Sequence, residues 1–287
     1  MRAKIVSIHS GAIAATFASL AWFSANPASA ASAVTFVSGK GTDSGTCANP
    51  ANPCRTFHFA IGRTSPGGEI KALDPANYGG VSITQSVTIT GVEGASINRT
   101  TAYGMFVNAG ASDVVNIRNL IFDGQNAASY GLQVKSVGSL NVSNCVFRKF
   151  VSAGIFMQPP AGTTNFRIED VLISDNAAYG IHFVAVNSAT TNGILERVRL
   201  HHNPTGFYAD RTSNSATLNV VINGSAATNG GTGFLSAAVG TFLLRNSIAT
   251  GNTTGLFVNT QAASTGDNLF YGNTNNTAGF FSTVSPQ

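Results

Sequence analysis

Charge is scarce in this chain: Asp, Glu, Lys and Arg together make up only 10% of 287 residues. A solvated helical surface carries far more, so the exposed faces here are polar but uncharged. The abundance of Gly, Asn, Ser and Thr fits a body of strands and tight turns. No Lys/Arg run forms the continuous basic stripe that nucleic-acid binding needs, which excludes that partner class despite a pI near 9.1. No Pro-rich or Gly/Ser-rich linker divides the chain, so one elongated domain suffices. The one tryptophan, Trp22, falls within the first thirty residues.

Those thirty residues read as an address. Arg2 and Lys4 are followed by an apolar stretch from Gly11 to Phe23 and then by Ala28-Ser29-Ala30. A basic start, a short apolar middle and an Ala-x-Ala end describe a Sec signal peptide over residues 1–30, cleaved near Ala30. The apolar stretch is too short to span a bilayer. The mature product is expected outside the cytoplasm, periplasmic or secreted. Cleavage removes two cations and no acid, leaving 14 basic against 12 acidic residues, a net charge of +2.

Cysteine is rare too, at three residues. Cys47 and Cys54 share a loop with Pro50 and Pro53, and export to an oxidising compartment predicts a disulfide between them. Cys145 is expected to be a small buried hydrophobe.

What the chain does have is period. Seven glycines, Gly104, Gly131, Gly154, Gly180, Gly206, Gly233 and Gly255, are spaced by 27, 23, 26, 26, 27 and 22 residues, each followed by an apolar-x-apolar triplet. A period in the twenties with strand-like pieces and no helical pattern indicates a stacked solenoid. The triplets run from Met105-x-Val107 through Leu132-x-Val134, Ile155-x-Met157, Ile181-x-Phe183, Phe207-x-Ala209 and Phe234-x-Ser236 to Leu256-x-Val258. Their outer residues should point inward and the residue between them outward.

A second strand region in each coil is marked by Asn119, Asn144, Asp170, Arg197, Asn223 and Asn246. Core pairs such as Leu120/Phe122 and Cys145/Phe147 follow it. Asparagines recur at Asn176, Asn203, Asn229, Asn252 and Asn273, marking a turn whose stacked amides can form a ladder. The predicted fold is all-β: a single-stranded right-handed parallel β-helix of about eight coils over residues 79–287. A cap over residues 31–78 holds the disulfide loop and a short helix at Thr56–Arg63, which Pro66-Gly67-Gly68 ends before a strand at Glu69–Leu73. At the far end, Gly279-Phe280-Phe281 either folds over the last coil or meets a partner.

The segment Pro53-Cys54-Arg55-Thr56-Phe57 leading to Gly67-Gly68-Glu69-Ile70, then Asn77-Tyr78-Gly79, followed by the glycine repeat, resembles secreted bacterial right-handed parallel β-helix proteins of the pectin-lyase-like superfamily. The resemblance implies the fold and a capping helix. It does not imply one activity, because the superfamily hosts lyases, hydrolases, epimerases, esterases, adhesins and inert scaffolds. The polygalacturonase motifs Asn-Thr-Asp, Asp-Asp, Gly-His-Gly and Arg-x-Lys are absent after residue 30. So are the pectin methylesterase Asp-Phe-Ile-Phe-Gly and Gly-Arg-Pro-Trp segments and the epimerase Asp-Pro-His-Asp. No catalytic residue carries over by motif, and the enzyme reading is correspondingly weaker.

The outward residues of the first strand column are Phe106, Gln133, Phe156, His182, Tyr208, Leu235 and Phe257. Asn108, Lys135, Gln158, Asp210 and Asn259 lie two positions further along. Rings presented flat beside amides would suit a polysaccharide or cell-surface glycan, with Phe106, Gln133, Phe156, Gln158, His182, Tyr208 and Phe257 as binding residues. Equally, the rings could be covered or serve strand propensity.

The alternative is a polysaccharide lyase or other uronate-active enzyme. His182 or Tyr208 would be its base, Arg211 or Lys135 would neutralise a carboxylate, and Asp210 stands nearby. Calcium belongs only to that alternative, with Glu169, Asp170 and Glu196 the nearest oxygen cluster. Glu169 and Glu196 on consecutive coils also have the spacing of a glycosidase pair. Arg118, Arg245 and Arg197 beside them favour a self-compensating charge ladder. Arg148, Lys149, Asp175, His201 and His202 gather at one turn as solvated charge, and no metal site is expected. A third class is an adhesin or structural filament built through the apolar C-terminal end.

Overall fold

A computed structural model of the chain describes residues 31–237, 241–259 and 262–284. The signal peptide expected over residues 1–30, with its cleavage point, lies outside the described residues. The chain is a parallel β-helix built on three parallel sheets of eleven, eight and nine strands. From Val81–Ile83 to Leu269–Phe270 the strands visit the nine-, eleven- and eight-stranded sheets in strict rotation, which gives eight complete coils.

The triplets are the inner wall. Met105, Val107, Leu132, Val134, Ile155, Met157, Ile181, Phe183, Phe207, Ala209, Phe234, Ser236, Leu256 and Val258 are all buried. Register makes them columns: Ile155 pairs with Leu132 on one side and Ile181 on the other. Alternation along each strand and stacking between strands together turn a local pattern into a continuous core. Phe122 stacks on Phe147 within it, centroids 4.3 Å apart. Cys145 is buried there as expected, and burial pushes its thiol up to about 12.

Each coil has three strands where the sequence suggested two. The second region divides at a single residue in the left-handed conformation, with φ of 59° at Asn119, 51° at Asn144, 54° at Asp170, 53° at Arg197 and 46° at Asn246. Each corner occupies one residue, so the chain changes sheet without a loop to reveal it. Asn223 is the exception among the marked positions, because Gly224 takes that corner, at φ 57°.

The shift carries through to the asparagine row. Asn176, Asn203 and Asn252 are buried. The Asn176 amide donates to Asn203 Oδ1 at 2.9 Å, and that of Asn252 to Asn273 Oδ1 at 3.0 Å. Asn229 is displaced by one position: it is exposed and forms the left-handed turn itself, at φ 55°. Gly230 stands in the row in its place, its N–H donating to Asn252 Oδ1 at 2.9 Å.

At the front, Thr56 caps the helix Phe57–Ile61 by accepting from the Phe59 N–H, and Phe57 and Ala60 are buried against the first coil. Cys47 and Cys54 are disulfide-bonded. The eleven-stranded sheet begins earlier than the repeat suggested, with Ser32–Val37 pairing in parallel with Thr64–Ala72. Pro66-Gly67-Gly68 lies inside that second strand and does not precede it. The pairing steps from Ser32 opposite Thr64 to Val34 opposite Glu69, so these residues form a bulge. At the other end Tyr271 and Phe280 are 72% and 85% exposed, so the terminal rings do not fold over the last coil.

Candidate functional site

The glycine of each repeat is buried, and no residue with a Cβ fits. A Cβ on Gly180 would lie 2.6 Å from the Gly206 carbonyl oxygen, and one on Gly131 would lie 2.5 Å from that of Gly154. Coil-to-coil contact there is backbone against backbone. The glycine also interrupts alternation: in Tyr103–Asn108, Tyr130–Ser136 and Tyr179–Ala185 the first and fourth residues are half-exposed while the second, third and fifth are buried. The nine-stranded sheet therefore turns two side-chain columns outward.

The fourth-position column is the one read from sequence. Phe106, Gln133, Phe156, His182, Tyr208, Leu235 and Phe257 pair in unbroken succession and are all half-exposed. Six coil-to-coil steps of about 4.8 Å make this row roughly 29 Å long. The first-position column was missed. It contains Tyr103, Tyr130 and Tyr179, with Ala153 buried between the last two, and continues as Thr205, Thr232 and Thr254. The signal was present, since these are the residues immediately before the recurring glycines.

The rings are not presented flat. Tyr130 and Phe156 stack at 4.7 Å with 17° between planes, His182 and Tyr208 at 4.6 Å with 16°, and Tyr179 and Tyr208 at 5.4 Å with 19°. Stacked side chains one coil apart use their faces on each other and leave ring edges and polar groups to solvent. The edge is the positive part of the ring quadrupole, suited to oxygen atoms.

The five residues considered for elimination chemistry are only partly together. His182 and Tyr208 are in contact, and Asp210 lies beside the Tyr208 hydroxyl. Burial among the rings pushes His182 down to about 4 and leaves its Nε2 without a hydrogen-bond partner. Burial, with Asp210 adding to it, pushes the Tyr208 phenol up. One is a weak base and the other holds its proton.

Arg211 pairs across the coils with buried Ala185, and its guanidinium donates to the Ala216 carbonyl at 2.9 Å. Lys135 is exposed two coils from His182 and three from Arg211, about 10 Å and about 14 Å along the axis. It also loses its place in the column, because a bulge sets Ser136 opposite Asn108. Gln158 remains half-exposed at the edge of the row.

On the eleven-stranded sheet, Glu169 and Glu196 do pair in register, in one column with Arg118, Asn223 and Arg245. Their carboxylates are clamped. Arg167 reaches both, at 2.8 Å to Glu169, while Arg197 holds Glu196 and Asp170, each at 2.7 Å. Oxygens so engaged form a charge ladder and do not suit calcium, which needs several free oxygen donors. Among the described residues no three His, Cys, Asp or Glu side chains gather as a metal site. His202 meets Asp175 at 2.9 Å and His201 meets Thr228 at 3.0 Å, both exposed.

With this geometry in hand, the comparisons agree on architecture. Residues 67–192 match the family model described as a right handed beta helix region. The crystal structure of pectate lyase Pel9A superposes over 88% of this chain and 79% of its own, with a TM-score of 0.55 and 12% identity. No curated protein matches the chain. The protein is a right-handed parallel β-helix.

Proposed function

We propose that this is an exported, noncatalytic β-helix protein that binds polysaccharide along its nine-stranded sheet. The double row of half-exposed Tyr, Phe and His running down the helix axis carries this reading. Such a row offers an extended chain a linear track of phenol hydroxyls and ring edges, broken by the Gln133 amide and flanked by the Asp210 carboxylate. Export fits the closed Cys47–Cys54 bridge. Among the described residues no helix is long and apolar enough to cross a membrane.

Affinity electrophoresis against pectins, alginate and exopolysaccharides tests the reading. Retardation by at least one polymer, weakened in Tyr179→Ala and Tyr208→Ala proteins of unchanged circular dichroism, is expected. Free migration in all of them removes the proposal. A second reading, end-to-end structural assembly, rests on the open C-terminal edge with Leu269, Tyr271 and Phe280 exposed. Light scattering that shows larger particles for the full chain than for one ending at Ala278 would favour it.

A further inference from the structure

The aromatic track has a built end. The nine-stranded sheet stops at Val81–Ile83, while the eleven-stranded sheet continues for two more strands under the cap. At that step lies a depression of about 490 Å³, lined by Asp43, Thr56 and His58 of the cap and by Gly79, Gly80, Ser82, Arg99 and Tyr103 of the first two coils.

Three features set it apart from the rest of the row. Tyr103 is the first ring, and its neighbour within the row is Phe106, 5.1 Å away. By the pairing of Val81 with Met105, the positions preceding Tyr103 and Gly104 in their columns are Gly79 and Gly80. Gly79 has open space where a Cβ would stand. Thus no side chain precedes Tyr103 in its column on the cap side.

Arg99 completes the floor. Its Nε is buried without a partner, and it stands 3.2 Å from where a Gly80 Cβ would lie. The half-exposed guanidinium, whose Nη2 donates to the Thr101 hydroxyl at 3.4 Å, presents its outer N–H groups beside an uncovered ring, a donor and an apolar face that a sugar can meet together. The wall is rigid: the Asp43 carboxylate accepts from the Arg55 and Thr56 N–H groups and from the Thr56 hydroxyl at 2.8–2.9 Å.

We infer that this depression is a chain-end subsite, which takes the terminal sugar of a polysaccharide lying along the track. The sugar ring lies against Tyr103 and its oxygen atoms accept from Arg99, and the cap wall blocks continuation of the chain. This rests on the glycan-binding reading above.

The test uses the intact mature protein with polygalacturonate and alginate, each supplied whole and as short oligosaccharides at equal mass of sugar. At equal mass, binding by titration calorimetry should rise with the number of chain ends. Arg99→Gln and Tyr103→Ala should each weaken it about tenfold, while Ile248→Ala, exposed on the eight-stranded sheet away from the track, should not. Binding that follows sugar mass regardless of ends, with both variants like the parent, overturns the subsite and leaves the track standing. Failure of both polymers in every form removes the track and the subsite together.

Discussion

Asn203→Ala should be among the most damaging polar substitutions in this protein, and Asn229→Ala should be mild, although the two recur at the same apparent spacing. Asn203 is 2% exposed and tied to four groups. Its Oδ1 accepts from the Asn176 N–H at 3.2 Å and the Asn176 amide at 2.9 Å. Its Nδ2 donates to the carbonyls of Ile173 at 3.0 Å and His201 at 3.1 Å. Truncation takes the partner from the Asn176 N–H, the Asn176 amide and the Ile173 carbonyl, while the His201 carbonyl still accepts from the Asp175 N–H at 3.2 Å. At the low end of the cost of an unsatisfied buried group, about 1 kcal/mol each, the loss is about 3 kcal/mol.

Asn229 is exposed with φ 55°, so alanine there incurs mainly the left-handed backbone penalty, about 1 kcal/mol. Urea unfolding followed by far-ultraviolet circular dichroism compares them at equal m-value. Equal losses, or a larger loss at Asn229, would refute the assignment of the ladder.

Three further outcomes follow from packing and charge. Gly180→Ala forces a Cβ to within 2.6 Å of the Gly206 carbonyl and should cost about 1–3 kcal/mol by the same urea assay; a neutral result would contradict the close coil contact. Burial alone would raise the Asp74 carboxyl, but hydrogen bonds from Tyr78, Gly39 and Ser38 outweigh it and hold it below the ordinary value of 3.8. Its stabilising contribution is therefore complete above that value and lost as pH falls through the lower folded one, and Asp74→Asn should flatten the acid limb of a stability-against-pH curve. Reduction of Cys47–Cys54, which are separated by 7 residues, should lower stability by about 2–3 kcal/mol, read as a shift in thermal midpoint on adding dithiothreitol.

The core was legible in the residues because strand alternation is local: Ile155 and Met157 face inward on any strand that has one wet side. The recurring glycines were legible too, since a backbone contact admits nothing larger. Sequence also placed Phe106 to Phe257 in one outward column, and Glu169 beside Glu196, because a constant period fixes which residues meet across coils. What local pattern could not give was any feature set by one-residue offsets. The corner at Gly224 moved Asn229 out of the ladder, the bulge at Val107/Asn108 moved Lys135 out of line, and the broken alternation at each glycine brought Tyr103, Tyr130 and Tyr179 outward.

The amino-acid order alone determined a stacked solenoid with an apolar interior, a closed pair of cysteines and a capped front. Only the tertiary structure decided how the aromatic rings lie. Ring orientation depends on neighbours one coil away, more than twenty residues distant in the chain. Those neighbours turn the face of Tyr130 onto Phe156 and that of His182 onto Tyr208, and leave Tyr103, with glycines before it, uncovered on the cap side.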